Sequence, residues 1–180
     1  MSEKHAPVVG VSGWKNSGKT TLVERLVAEL TRRGHRVATV KKAHHNVDVD
    51  TPGTDSHRHR LAGAREVALV SSKRIALMRE LGEDPEPTLE EVLDRLAPCD
   101  VVLVEGYKKS GHPKIEVRRK ASARDGALEG SVPNVRAIAA DHAVEATALP
   151  VFDIDDVAGI ADFITDLCAL NDKGDDAGDR

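Results

Sequence analysis

A glycine-framed segment near the start of the chain, Gly13–Thr20 with the sequence GWKNSGKT, constrains the fold more than any other feature. The apolar run Val8–Val11 precedes it, and apolar residues with helical spacing follow it to about Arg33. The segment fits the pattern G-x-x-x-x-G-K-[ST], in which a strand leads into a phosphate-binding loop and then into a helix. The sequence therefore predicts a nucleotide-binding loop in an α/β protein.

The residues of this loop have separate predicted tasks. Its backbone N–H groups and the positive end of the following helix would hold phosphate. The Lys19 ammonium would reach the β- and γ-phosphates, and the Thr20 hydroxyl would ligate Mg²⁺. The predicted nucleotide-binding residues of this segment are Gly13, Trp14, Lys15, Asn16, Ser17, Gly18, Lys19, Thr20 and Thr21.

The length of 180 residues suits one domain with a substantial core. We expect a single nucleotide-binding domain over residues 1–170. The last stretch, 171–180, is acidic and lacks residues that could form a core, so it is predicted to be a disordered tail.

Composition argues against several classes of function. Aromatic residues make up only 2% of the chain and the net charge is −4, which disfavours nucleic acid as a partner. No apolar run is long enough to span a membrane. Cys99 and Cys168 lie far apart in apolar surroundings, which is typical of buried thiols in a reducing compartment. We therefore expect a cytoplasmic protein.

Beyond the loop, the periodicity of apolar residues predicts further strands and helices. A strand at 36–41 completes a right-handed βαβ unit, so the first two strands should be parallel. Apolar runs on either side of Ser71–Arg74 predict a β-hairpin. The predicted fold is α/β: a P-loop NTPase-like three-layer αβα arrangement with a mostly parallel sheet and an appended β-hairpin. The other predicted elements are helices at 54–64, 88–96 and 155–170 and strands at 100–106, 112–118, 134–141 and 151–154.

A polar segment after the second predicted strand, residues 41–60, contains four of the eight histidines. One interpretation is a zinc or nickel site, but His44 and His45 are adjacent, and His57 and His59 diverge on a helix. Contacts with a polar substrate or a phosphate are the favoured interpretation. The predicted contact residues here are Lys42, His44 and His45.

Two acidic residues end predicted strands on the side where such folds bind ligands. Glu105 follows an apolar run that is typical of a central strand, and it would ligate Mg²⁺ or its water, although it could instead cap the following turn. Asp141 ends a later strand and could reach the edge of a guanine base. Lys108, Lys109 and Lys114 form a predicted basic rim that could meet an anionic ligand or partner, although each lysine alone is better explained as part of a solvated surface.

Several short segments together make the chain resemble a known family, the molybdopterin-guanine dinucleotide biosynthesis adaptor proteins (MobB). The resemblance covers about residues 8–165. Besides the loop, it is carried by Lys42-Ala43-His44-His45, Asp50-Thr51-Pro52-Gly53, Asp55-Ser56, Arg58, Ala62-Gly63-Ala64, Glu105-Gly106-Tyr107-Lys108 and Pro113-Lys114-Ile115-Glu116.

The resemblance implies a homodimer that binds GTP with Mg²⁺ and hydrolyses it weakly. It also implies a partner, the guanylyltransferase that joins GMP to molybdopterin, with molybdopterin as a further candidate ligand. Glu105, Asp55 and Lys15 would be the catalytic residues, with Lys15 acting across the dimer. The chain has no Asn-Lys-x-Asp motif, so the preference for GTP over ATP rests on the resemblance.

Two other classes stay open at this point. A nickel or zinc metallochaperone GTPase would use the histidine-rich segment, although no Cys-x-x-Cys motif accompanies it. A small-molecule kinase would use the same loop and needs arginines that close over the phosphates, for which Arg58 and Arg60 are candidates.

Overall fold

The computed structural model describes residues 5–43, 47–121, 126–128 and 130–171. Contacts within the chain divide it into two compact units, residues 1–42 with 89–180, and residues 43–88. The assignment of residues 1–170 to a single domain stays a prediction. His44, His45 and the predicted tail beyond residue 171 lie outside the described residues.

The first unit is built on a six-stranded sheet in which every neighbouring pair is parallel. Its strand order is β2-β5-β1-β6-β7-β8, and the numbering follows the chain. The strands are β1 (Val8–Gly13), β2 (Val37–Lys41), β5 (Val101–Glu105), β6 (Lys114–Arg118), β7 (Val135–Ala140) and β8 (Val151–Asp153), and the helices are α1 (Lys19–Arg32), α3 (Leu89–Leu93) and α4 (Val157–Cys168).

Helix α1 forms directly after the glycine-framed loop because its apolar residues recur on one face. Leu22, Leu26 and Leu30 are buried, and each such burial stabilises the fold by about 1.5–3 kcal/mol. The helix ends where Gly34 takes a left-handed φ of 84°. The prediction of a strand, helix and parallel strand over 8–41 is confirmed.

Apolar layers cover the sheet on both faces, as the predicted αβα arrangement requires. On one face, α1 and α4 pack against alternate residues of the central strands, such as Val9 and Leu103. On the other, α3 packs against Val102 and Val104. Strand β5 is therefore covered on both sides, as its uninterrupted apolar sequence predicted.

Strand β6 differs from its prediction as a short strand with exposed charges. It lies inside the sheet, and both Lys114 and Glu116 are buried, so the placement of Lys114 in an exposed basic rim is wrong. Backbone groups of the loops compensate these charges, together with the Arg118 guanidinium, which donates to the Glu116 carboxylate at 2.9 Å. Lys114 Nζ donates to the carbonyls of Ser110, His112 and Pro133, and Glu116 accepts from the backbone N–H of Leu128 at 2.7 Å.

The second unit contains helix α2 (Asp55–Leu61) and an antiparallel pair, β3 (Glu66–Val70) with β4 (Ile75–Arg79). The predicted hairpin is confirmed. Thr54 occupies the N-cap position of α2, but its hydroxyl donates to the carbonyl of Thr51 at 2.8 Å and does not cap the helix. Across the described residues of both units, no helix is long and apolar enough to cross a membrane.

Candidate functional site

The loop between β1 and α1 is shaped by its two glycines. A Cβ added at Gly13 would lie 2.4 Å from Ser17 Oγ and 2.7 Å from the carbonyl oxygen of Val117. Gly18 has a φ of 90°, and a Cβ there would lie 2.8 Å from Nε of Arg119. A side chain at position 13 would collide with the backbone, and one at position 18 would be strained by the left-handed φ, so the loop geometry favours glycine at both ends.

The start of α1 has neither a side-chain cap nor an acidic residue of its own in the first turn. Its N-cap is Gly18. The N–H groups of that turn can therefore donate to an anion. Lys19 Nζ lies over the loop and donates to the carbonyl of Trp14 at 2.6 Å.

Thr20 and Glu105 meet at the end of the two neighbouring strands β1 and β5. The parallel register places Val11 opposite Glu105, and the Thr20 hydroxyl donates to both carboxylate oxygens at 3.0 and 3.1 Å. Lys41, opposite Glu105 on β2, places its ammonium 3.3 Å from the same carboxylate. A hydroxyl beside a carboxylate is a set of hard oxygen donors that suits Mg²⁺.

Cations outnumber the one carboxylate at this site. Burial lowers the pKa of Lys19 below its ordinary value; Glu105 opposes that shift, and Lys108 and Lys41 add to it. Two further ammonium groups, those of Lys108 and Lys41, thus act on Lys19 beside Glu105. Such an excess of positive charge beside backbone N–H groups favours a polyanion over a neutral ligand.

The turn after β5 directs Lys108 back toward the loop. Gly106 and Tyr107 take left-handed φ angles of 101° and 49°, and the Lys42 ammonium lies 5.2 Å from the centre of the Tyr107 ring. A left-handed tyrosine is strained, and such strain is found most often at functional sites. Predicted residue Lys42 therefore packs on this turn.

Trp14 is fixed on two sides. Its indole Nε1 donates to the carbonyl of Gly126 at 2.7 Å, and the Lys108 ammonium lies 4.6 Å from the centre of its ring. The next two loop residues, Lys15 and Asn16, are exposed. The action of Lys15 across a dimer stays a prediction.

Arg119 was missed by the sequence prediction. It directly follows β6, the strand beside β1, and its guanidinium lies against Gly18. Its position one residue past a strand next to the loop was the signal that could have identified it. Arg119 also contributes to the low pKa of Asp141, which is set chiefly by hydrogen bonds from His142 and the Lys120 N–H.

Some predicted residues are not part of this arrangement as described. Asp55 lies in the second unit, where it begins α2, and its catalytic role stays a prediction. Thr21 is an exposed residue of α1. His44 and His45 lie outside the described residues, so their predicted contacts stay predictions as well.

A parallel sheet whose first strand leads into a glycine-framed Lys-Thr loop, with a carboxylate at the end of the next strand, defines the P-loop nucleoside triphosphatase fold. Within that class, comparison of the chain with known proteins identifies one family. The family model for molybdopterin guanine dinucleotide synthesis protein B (MobB) matches residues 8–141. The chain belongs to this family, and the resemblance drawn from its short segments is confirmed.

Relatives match along most of their length. The molybdopterin-guanine dinucleotide biosynthesis adapter protein of Escherichia coli is 36% identical over 169 residues, 89% of this chain and 92% of the relative. Its counterpart from Haemophilus influenzae is 38% identical over 162 residues, 88% of this chain and 87% of the relative. The crystal structure of a MobB homologue from Bacillus stearothermophilus has a TM-score of 0.69 at 32% identity, covering 91% of this chain and 99% of the other.

Proposed function

We propose that this protein is a GTP-binding adapter in the synthesis of molybdopterin-guanine dinucleotide. The observation that carries nucleotide binding is the contact between Thr20 and Glu105 beside the loop that holds Lys19. P-loop proteins bind the Mg²⁺ of a nucleoside triphosphate with a hydroxyl and a carboxylate of this kind, so the contact supports the proposal. Family membership supports the adapter role, since the E. coli and H. influenzae relatives bear that name.

Magnesium would be held by Thr20 directly and by Glu105 directly or through water. When bound, the ion would offset the charge on the β- and γ-phosphates. The Lys41 ammonium lies 3.3 Å from the Glu105 carboxylate and adds positive charge beside it. Hydrolysis in this proposal is weak and secondary to binding, as the family resemblance implies.

The guanine base would be read by Asp141. The hydrogen bond from His142 lowers the pKa of Asp141, so its carboxylate is ionised at neutral pH. An ionised carboxylate only accepts hydrogen bonds. Guanine offers N–H donors on its edge where adenine offers an acceptor, which supports a preference for GTP over ATP.

The partner in this proposal is the guanylyltransferase that joins GMP to molybdopterin, and molybdopterin is a further candidate ligand. Both come from the family resemblance and the role named for the relatives. An adapter whose nucleotide is hydrolysed slowly would stay loaded long enough to act as a binding surface for that enzyme.

A homodimer is supported by the hairpin of the second unit. Among the described residues, β3 and β4 pair only with each other. One face of the pair presents Val70, Ile75 and Leu77, which are 68%, 73% and 58% exposed. A lone two-stranded sheet is marginally stable in water, and an apolar face of this kind is stabilised when a second copy covers it.

Calorimetric titrations of GTP and ATP, each with and without Mg²⁺, test the proposal, together with the mass of the protein in solution. We expect a dimer that prefers GTP and binds it more tightly with Mg²⁺. Lys19→Ala should abolish binding because it removes the ammonium that reaches the phosphates. The control is Lys109→Ala, an exposed lysine, which should bind as the wild type does. Unchanged GTP affinity in Lys19→Ala would refute the nucleotide site.

The two other sequence interpretations receive less support. In the described part of the chain, which omits 44–46, no group of three or more His, Cys, Asp or Glu side chains could hold a metal ion. ATP preference in a monomer would favour a kinase. Stoichiometric zinc or nickel that is lost in a His44→Ala/His45→Ala double variant would favour a metallochaperone.

A further inference from the structure

Two lysines converge on Trp14, and they approach it from different parts of the chain. Lys19 donates to its carbonyl oxygen at 2.6 Å, while the Lys108 ammonium lies 4.6 Å from the centre of its ring. One lysine belongs to the loop that would hold phosphate. The other belongs to the turn after β5, the strand that ends in Glu105.

The two ammonium groups are close enough to affect each other. Lys108 is among the charges that lower the pKa of Lys19. Like charges placed together repel unless an anion lies between them, so their proximity favours a ligand that both can contact. A cation held over an indole contributes only about 0.5–2 kcal/mol. A phosphate oxygen can accept a charge-assisted hydrogen bond from Lys108, so it should replace the Trp14 ring as the partner of this ammonium.

We propose that Lys108 is a second phosphate-contacting lysine of this site, selective for the γ-phosphate, and that it exchanges the Trp14 ring for that phosphate when a nucleoside triphosphate binds. The inference rests on the proposed nucleotide function and adds a residue and a movement to it. The left-handed Gly106 and Tyr107 set the position from which Lys108 reaches the loop.

Selectivity for the γ-phosphate follows from the positions of Lys19 and Lys108 relative to Glu105. Thr20 and Glu105 lie together at the carboxyl ends of β1 and β5, and they would hold the Mg²⁺ that offsets the charge of the outer phosphates. Lys108 follows Glu105 by one short turn, so it approaches the outer end of the phosphate chain. The backbone N–H groups of the loop would hold the inner phosphates.

The chain carries its own reporter for this movement. Trp14 is the sole tryptophan of the 180 residues, so tryptophan emission reports on its ring alone. The ring is also fixed by its hydrogen bond to Gly126 at 2.7 Å, which gives the indole a defined environment. Loss of the Lys108 contact should therefore change the emission.

The experiment titrates the full chain with GDP and with guanosine 5′-(β,γ-imido)triphosphate, each with Mg²⁺, and follows both calorimetry and tryptophan emission. For the wild type, the triphosphate analogue should change the emission saturably, and GDP should change it less than half as much. In Lys108→Met, the Kd of the analogue should rise about tenfold, which is the scale of one charge-assisted contact, and that of GDP less than about twofold. The change in emission should be lost as well.

Two further variants decide whether the effect belongs to Lys108. Lys108→Arg keeps the charge and should restore most of the affinity for the analogue. Lys109→Met removes an exposed neighbouring charge and should behave as the wild type does. The proposal is overturned if Lys108→Met binds the analogue within twofold of wild type, loses GDP equally, or is matched by Lys109→Met. A wild type that binds neither nucleotide would overturn the proposed function itself, and this inference with it.

Discussion

The Thr20 hydroxyl donates to both oxygens of the Glu105 carboxylate, at 3.0 and 3.1 Å, although the two residues lie 85 positions apart in the chain. The contact joins the first turn of α1 to the end of β5. This hydrogen bond links the P-loop to the strand beside it. Both groups are also oxygen donors of the kind that suit Mg²⁺.

Thr20→Val should weaken GTP binding only when Mg²⁺ is present. Valine keeps the shape of threonine but removes the hydroxyl that would ligate the ion. We expect the Kd measured by calorimetry with Mg²⁺ to rise about tenfold, the scale of one lost charge-assisted contact, with little change in EDTA. Thr31→Val, an exposed residue of the same helix, is the control. An equal loss in EDTA would contradict a role in metal binding.

Gly13→Ala should damage the loop itself. The added Cβ would lie 2.4 Å from Ser17 Oγ and 2.7 Å from the Val117 carbonyl, and such overpacking costs about 1–3 kcal/mol. Urea denaturation should show the lower stability, and GTP binding should fall with it. Gly111→Ala meets nothing within 4 Å and should stay within about 0.5 kcal/mol of wild type. Equal stability of the two variants would show that the loop can adjust.

His112 should make the protein less stable as the pH falls from about 6.5 to 4. Burial against the sheet, with Lys114 nearby, lowers the pKa of His112 to about 4, whereas in the unfolded chain it is about 6.5. Between these values the unfolded chain binds a proton that the folded protein excludes, so acid favours unfolding in this window. Hydrogen bonds from Arg32 and Arg33 lower the pKa of Glu29 to about 2. The stability that Glu29 contributes is therefore lost only below about pH 4.5.

Thermal unfolding from pH 7 to 4.5 measures this effect. His112→Asn should show a smaller fall in Tm over this range than the wild type does. His59→Asn, which replaces an exposed histidine, should keep the full fall. If all three proteins lose stability in parallel, His112 is not the group that titrates.

Leu77→Lys should weaken the proposed homodimer. Leu77 lies on the apolar face of the hairpin, and the transfer of a leucine from water to an interface contributes about 1.5–3 kcal/mol. We expect the dimer dissociation constant from sedimentation equilibrium to rise at least about tenfold. Val49→Lys replaces a residue that is 78% exposed and lies off the hairpin, and it should leave the constant unchanged. A monomeric wild type would contradict the dimer directly.

Sequence patterns predicted the parts of the fold that depend on neighbours in the chain. The glycine-framed loop, the helix after it and the hairpin around 71–74 are all local, and each is present. Glu105 could be placed because an unbroken apolar strand ends at it. Such strands are buried on both faces, so their ends have few possible positions.

The errors concern residues whose surroundings come from distant segments. Lys114 and Glu116 alternate with apolar residues as they would on an exposed strand, but both are buried. Their hydrogen-bond partners lie in other segments, at Ser110, His112, Leu128 and Pro133. Lys41 and Arg119 reach the loop because their strands lie one or two positions from β1 in the sheet. Strand order is set by tertiary packing, so periodicity alone could not place them.

The buried ammonium of Lys114 has a consequence for how the protein opens. It donates to the carbonyls of Ser110, His112 and Pro133, so neither loop can separate from the strand without removing hydrogen bonds from a buried ammonium. The two loops should therefore open together as one cooperative unit, with a shared free energy of hydrogen exchange. The two loops, although distant in sequence, would then open with the same free energy.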